Sequence, residues 1–398
     1  MSAAQTTSPN ADAGKLKARY LTLALAVACL SCRASSDSDV TDPLVPEVVD
    51  VDESDMLSPD MLVEPSPVTV ETYDGSGEIV HPDALVFPHR WSGHRYWFAA
   101  TPYPLGNSTM ENPSGFAGDS AQDWRTIPGV TNPIARPSTD GYLSDPDVSY
   151  DPVHDRIHLY YRQTTSTFDQ VFLRTSRTGS DWSEPTLVVQ DARYSLISPA
   201  IVRESDGSWR MWSVNAAAGG CRVHASAIAL TQRLSRDGIK WEGPSTVNLT
   251  IAGYVPWHWD VQHIRDRHEY WALVAAYPDG GNCSQTSVFF ARSADGSTWT
   301  VAPTPLLAPG AVPALRDLVY RSTFRYFPSD SAVRVWFSGA RVDNQQFHYA
   351  MAIARYPLAE LLRRVNAPPA APRTTPMRAH DPNAAASRAR ERFINAFP

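Results

Sequence analysis

Short runs of apolar and aromatic residues, each bounded by polar turn residues, follow one another from about residue 75 to residue 365. Runs such as "DRIHLYYR" and "SVFFARS" predict β-strands, with side chains that alternate between two faces. Four of the turns look alike: "AGDSAQDW", "SRTGSDW", "SRDGIKW" and "SADGSTW", with tryptophans at 124, 182, 241 and 299. The steps are 58, 59 and 58 residues. Asp-Gly between a strand and an aromatic is hairpin chemistry, because the turn needs residues that tolerate positive φ. A second repeat interleaves with the first, as an extended run, a polar turn and an aromatic-rich run. It occurs as "DALVFPHRWSGHRYWFAATPY", "DVSYDPVHDRIHLYYRQ", "AIVRESDGSWRMWSVN", "DVQHIRDRHEYWALVAAY" and "FRYFPSDSAVRVWFSGA". A fixed period of this size with about four strands per copy predicts an all-β protein, a five-bladed β-propeller with four-stranded blades over residues 75–365. The fifth copy has no tryptophan turn after "FHYAMAIARYP". The strand-like "SPVTVETY" ahead of the first copy is placed to supply the missing outer strand and close the ring.

The two ends differ in character from this core. "KLKAR" at 15–19 precedes "YLTLALAVACLSC", an apolar run too short to span a bilayer but long enough for a signal-peptide core. The run ends in Cys29 and Cys32, each after a small residue, and resembles a bacterial lipoprotein signal. Residues 1–32 are therefore read as a lipoprotein-like signal peptide, with lipidation at Cys29 or Cys32. That resemblance implies a protein working outside the cytoplasm, secreted or lipid-anchored to the bacterial envelope, with no membrane contact except the anchor. Residues 33–74 hold twelve acidic side chains and one arginine, a net of −11, against −7 for the whole chain, so the remainder is about +4. This stretch reads as an acidic, disordered linker. Residues 366–398 read as a Pro/Ala-rich tail with a short helix in "AAASRARERFINAF". No basic patch points to nucleic acid.

The densest chemistry lies in "SDPDVSYDP" at 144–152, where Asp145 and Asp147 flank Pro146 at the start of a strand. In a propeller the starts of the innermost strands meet at one mouth of the central channel. Aligned on the proline, the five blades offer "HPD", "DPD", "SPA", "HWD" and "RST". Alternation puts the first and third members of each triplet on one face. The ring so implied is His81, Asp83, Asp145, Asp147, Ser198, His258 and Asp260, with Arg321 from the fifth blade. Mouth loops add Tyr103, Glu111 and Asn112, Arg162, Asn215, and Tyr277 with Asp279; Trp257 and Trp259 flank His258. Carboxylates among aromatic rings, arginine and asparagine suit a carbohydrate partner.

The "S-x-D-G-x-x-W" turns and the Asp-Pro at a first-strand start resemble the five-bladed propeller glycoside hydrolases, notably family 43 and its relatives. The resemblance covers roughly residues 75 to 365. It implies hydrolysis of a poly- or oligosaccharide at the propeller mouth, with a base from blade one, a pKa-modulating Asp from blade two and an acid from blade three. Asp145 fits. Blade one has His81 before its proline, with Asp83 after it, and blade three has Ser198 where the acid would be. Hydrolysis needs two carboxyl groups, one held protonated. The catalytic set is then Asp83 as base, Asp145 or Asp147 as modulator and Glu111 as acid, with His81, Tyr103, Arg162, Asn215, Trp257, His258, Asp260 and Arg321 binding substrate. No cofactor is required on this reading. Two alternatives stay open: a non-catalytic glycan-binding propeller, and a central cation such as Ca²⁺ among the histidines and aspartates. Cys221 and Cys283, 62 residues apart in equivalent Gly-rich loops of neighbouring blades, are expected to form a disulfide.

Overall fold

The computed structural model describes residues 63–136 and 141–368. The signal-like segment with Cys29 and Cys32, the chain up to residue 62 and the tail from 369 lie outside the described residues. The first strand, β1 (Val63–Val70), precedes five sets of antiparallel strands. Blade one is β2 (Ile79–Trp91), β3 (His94–Pro102), β4 (Ser114–Gly118) and β5 (Asp123–Thr126). Blade two is β6 (Tyr142–Asp151), β7 (Arg156–Thr164), β8 (Phe168–Ser176) and β9 (Thr186–Ala192). Blade three is β10 (Ile197–Arg203), β11 (Trp209–Asn215), β12 (Ala229–Ser235) and β13 (Ser245–Val247). Blade four is β14 (Tyr254–Ile264), β15 (Glu269–Pro278), β16 (Ser287–Ser293) and β17 (Thr300–Val301). Blade five has three sequential strands, β18 (Leu318–Phe327), β19 (Ala332–Asp343) and β20 (Gln346–Pro357).

Its fourth strand is β1, antiparallel to β20 with Val68 opposite Met351. The same strand pairs in parallel with β5, Thr69 opposite Asp123, so blades five and one form one continuous sheet. The five-bladed ring expected from the repeat is thus closed by the N-terminal segment. The strand begins at Val63, inside the stretch read as linker. Its backbone is paired on both sides, and that pairing outweighs the prolines that made the segment look extended and unpaired. A helix the sequence reading did not place, α1 (Leu358–Val365), follows β20. Leu358, Leu361 and Val365 are buried with Val319, Phe324 and Tyr356 in one apolar cluster.

The tryptophan turns lock blades one, three and four to the blade before each. In the turn after β16, the Gly296 N–H donates to Ser293 Oγ at 2.9 Å, and Ser297 and Thr298 N–H both donate to Asp295 Oδ1 at 2.8 Å. The turn after β12 repeats this with Ser235, Asp237 and Gly238. An aromatic donor on the second strand of the preceding blade then grips the turn carbonyl. Trp212 Nε1 reaches Gly296 O at 2.8 Å, Tyr160 Oη reaches Gly238 O at 3.0 Å, and Trp336 Nε1 reaches Ala121 O at 2.7 Å.

The innermost strands are irregular where the aligned triplets fall. Pairing shifts between Val80 and Asp83, between Ser144 and Asp147, and between Ile197 and Ala200. His81, Asp145 and Ser198 sit at these bulges with φ near +50° (54°, 50° and 52°). Each precedes a proline, and the inner strand tolerates Pro82, Pro146 and Pro199 because its channel edge has no neighbour needing the missing N–H. The bulge breaks the simple alternation, so the first and third members of each triplet part company.

Candidate active site

The third members join blades. Asp83 Oδ2 accepts from Val148 N–H of blade two at 2.6 Å, Asp147 Oδ2 from Ile201 N–H of blade three at 3.0 Å, and Asp260 Oδ2 from Phe324 N–H of blade five at 3.2 Å. Thr323 Oγ1 lies within hydrogen-bond distance of both Asp83 Oδ1 (2.9 Å) and Asp260 Oδ2 (3.0 Å). Burial and the neighbouring Asp83 push Asp147 well above the usual range and Asp260 up to about 7. Asp83 and Asp147 border a small cavity of about 240 Å³ with Tyr150, Arg203, His263 and Arg325.

Three of the first members, His81, Asp145 and His258, line a larger cavity of about 840 Å³ at the opposite level of the channel. Asp145 is its hub and is fully buried. Its Oδ2 accepts from Arg162 Nη1 at 3.0 Å, from Ser144 Oγ at 3.1 Å and from Ser198 N–H at 3.3 Å. Its Oδ1 lies 3.3 Å from Arg321 Nη1, 3.6 Å from His81 Nε2 and 3.4 Å from His258 Nδ1. Burial alone would raise Asp145, but the Arg321 charge and the groups packed around it hold it well below the usual carboxylate range. Burial lowers both His81 and His258, so each imidazole is neutral with a lone pair to offer. His81 Nδ1 is within 3.2 Å of Thr101 Oγ1, which orients the ring. His81 Nε2 and both ring nitrogens of His258 are buried without a hydrogen-bond partner. Ligand atoms of His81, Asp145 and His258 lie within 4.8 Å of one another.

Glu111 completes the site from the loop after β3. A single 3-10 turn at Ser108–Met110, capped by Asn107, delivers it, and its own N–H donates to Ser108 O at 3.1 Å. The next residue anchors the loop: Asn112 Nδ2 donates to Tyr73 Oη at 3.1 Å and to Thr109 O at 3.3 Å. Glu111 is 1% exposed and neither carboxyl oxygen has a hydrogen-bond partner. Burial, then Asp145, raises it well above its ordinary value, with Arg162 opposing. A carboxyl group so placed exchanges its proton nearer neutral pH than a solvated one.

Of the residues expected from sequence, His81, Glu111, Asp145, Arg162, Asn215, Trp257 and His258 line this cavity. Asp83, Asp147 and Asp260 do not, because their carboxylates are committed to the blade junctions. Tyr103 is fully buried against Tyr349, ring centroids 4.8 Å apart, rather than offered to a ligand. Arg321 stands behind Asp145 and holds its charge. Asn112 anchors its loop, Tyr277 Oη donates to Val223 O, and Trp259 is core. Asp279 pairs with His224. The sequence reading missed Tyr142, Arg193, Tyr194 and Tyr320, which also face the cavity. Tyr320 directly precedes the fifth triplet, and Arg193 and Tyr194 lie in the β9–β10 connection just before the third, so proximity to the aligned prolines was their available signal. The disulfide forms as expected between Cys221 and Cys283, Cα atoms 5.2 Å apart, and Cys221 is part of the cavity wall.

No protein-family model matches the chain. Over 314 residues it is 29% identical to an A type blood N-acetyl-alpha-D-galactosamine deacetylase of Flavonifractor plautii, a match taking in 67% of this chain and 40% of that protein. The chain therefore spans about two fifths of that relative's length. It is similar to a crystal structure of an N-acetylgalactosamine deacetylase from F. plautii in complex with blood group B trisaccharide, with a TM-score of 0.69, 25% identity, and 75% and 97% of the two chains covered. A thermostable family-43 glycoside hydrolase superposes with a TM-score of 0.54 at 13% identity, over 74% and 92% of the two chains. A xylan beta-1,4-xylosidase from Bacillus halodurans C-125 does so with 0.54 at 16%, over 70% and 53%. The fold is that of the propeller glycoside hydrolases.

Proposed function

We propose that the protein is a carbohydrate-active enzyme that hydrolyses the N-acetyl group of an acetamido sugar and leaves the glycosidic bond intact. The observation carrying this reading is the composition of the cavity floor. Glycoside hydrolysis calls for two working carboxyl groups. Here Asp145 is bound by two guanidinium groups, Ser198 occupies the position aligned with the acid, and Glu111 is the one lining carboxyl group without partners. A single acid/base beside two neutral imidazoles suits amide hydrolysis instead, and the F. plautii deacetylase supports the same choice.

In this reading Glu111 takes the proton of the attacking water and returns it to the leaving nitrogen as the C–N bond breaks, giving acetate and the amino sugar. Arg162 and Arg321 keep Asp145 ionised. The rings of Tyr142, Trp257 and Tyr320 supply flat surfaces for the sugar. His81, Asp145 and His258 are arranged to hold a divalent ion. Two imidazoles and one carboxylate suit Zn²⁺ or a similar ion better than Ca²⁺, which prefers six or more oxygens. Such an ion polarises a carbonyl and acidifies bound water. The signal-like N-terminus and the disulfide favour action outside the cytoplasm.

The test uses the full chain with p-nitrophenyl N-acetyl-α-galactosaminide, scoring acetate and nitrophenol separately. Acetate without nitrophenol is expected, and nitrophenol release would restore the glycosidase reading. Glu111→Gln should lower acetate release about 10²–10⁴-fold. A chelator should abolish it, and Zn²⁺ should restore it.

A further inference from the structure

The cavity that this reading treats as a saccharide site has an asymmetric rim. Arg193 and Arg222 both line it, and neither makes an ion pair among the described residues. Arg193 lies over the Tyr194 ring, its guanidinium carbon 4.6 Å from the centroid, and its Nε is buried without a hydrogen-bond partner. Carboxylates nearby are already engaged. Asp191, two residues from Arg193, is bound by Arg233 Nη2, and Asp279 is held by His224 Nδ1 at 2.7 Å.

The two arginines come from different elements but share one edge. Arg193 is in the β9–β10 connection, and Arg222 ends the 3-10 turn Ala217–Arg222 within the loop after β11. That loop lies against the ring carrying Arg193: a Cβ built on Gly220 would meet Tyr194 Cε2 at 3.2 Å. The Cys221–Cys283 disulfide fixes the loop immediately beside Arg222. Deeper in the cavity the buried ion pairs close on themselves, Asp145 and Asp169 being matched by Arg162 and Arg321.

We propose that the Arg193–Arg222 rim binds an anionic substituent, a carboxylate or a sulfate, so that the substrate class is an acidic N-acetylated oligo- or polysaccharide rather than a neutral one. Planar guanidinium groups bind such oxyanions with paired hydrogen bonds, and stacking on Tyr194 leaves the in-plane N–H groups of Arg193 available for them. The proposal rests on the saccharide reading of the cavity, but its test does not depend on turnover.

Calorimetric binding to the full chain is measured for three probes. These are a neutral N-acetylgalactosamine oligosaccharide, one of the same length alternating with glucuronate, and its sulfated form. At low salt the acidic probes should bind about tenfold more tightly than the neutral one, the difference expected of one charge-assisted contact. About 0.5 M NaCl should erase most of that preference. Arg193→Gln with Arg222→Gln should lower the acidic-to-neutral ratio about tenfold. The salt titration of the unaltered chain reads the same contact if the double variant folds poorly. The glucuronate and sulfated arms separate carboxylate from sulfate recognition. Acidic preference without acetate release from any probe would overturn the deacetylase reading and support the anionic rim. Equal affinities at low salt, or a ratio unmoved in a folded double variant, would overturn the rim proposal.

Discussion

Glu111 shows how one side chain trades stability for chemistry. Below pH 4.5, its ordinary value, the carboxyl is neutral in both folded and unfolded chains. Above it the unfolded chain releases the proton while the folded one keeps it, so this group's contribution to stability falls as pH rises, until the folded carboxyl ionises too. Glu111→Gln removes that dependence. The stability of the variant relative to the parent should therefore rise by up to about 1.4 kcal/mol per pH unit above pH 4.5. Urea titrations at several pH values measure it, and a difference independent of pH would refute the raised carboxyl. Asp145 behaves in the opposite sense, being ionised and multiply paired. Its replacement by Asn leaves Arg162 and Arg321 facing a neutral amide in a buried site, which should cost about 3–5 kcal/mol by thermal denaturation. Both residues were visible in the sequence as candidates, one from its mouth loop and one from its proline. Their opposite protonation was not visible, because it depends on which neighbours share their burial.

Strands and turns repeat the same logic with backbone atoms. The Asp-Gly turns satisfy their own N–H groups through Ser and Asp side chains two or three residues away, which is why the motif could be read locally. What the motif does for its neighbour was hidden. Gly296 has φ of +72°, and a Cβ there would come within 2.9 Å of the Trp212 ring that grips its carbonyl. Gly296→Ala should therefore destabilise by about 1–3 kcal/mol in chemical denaturation. Trp212→Tyr, which loses the indole donor, should add its effect less than additively, because both changes touch one contact. The inner-strand bulges carry the other hidden lesson. A proline in a strand predicted a special position, yet the left-handed residue before it separated His81 and Asp145 from Asp83 and Asp147, two places on.

Across the whole molecule, closure depends on a strand from the start of the fold sealing its last blade. Removing residues through Val70 exposes the edges of β20 and β5 together. The shortened chain should lose a single cooperative unfolding transition and expose apolar surface to dye binding, whereas an unchanged urea midpoint would contradict the closure. The disulfide acts at the same scale, joining residues 62 apart across blades three and four. Converting both cysteines to serine should cost about 4 kcal/mol through the unfolded chain. It should also raise KM more than it lowers kcat, since the bridge holds the cavity wall near Arg222 and not Glu111.

Sequence alone determined the all-β class, the five-fold repeat and its closure, and the cysteine pair. Each rests on a period or on turn chemistry that a few neighbouring residues carry among themselves. Only the tertiary structure decided which of the aligned polar residues work together. His81, Asp145 and His258 come from three blades and Glu111 from a loop without a repeat, so no spacing along the chain joins them. The aspartates Asp83, Asp147 and Asp260 obey the same period and yet serve as blade junctions. A backbone bulge, set by long-range pairing and burial, sorted one set from the other.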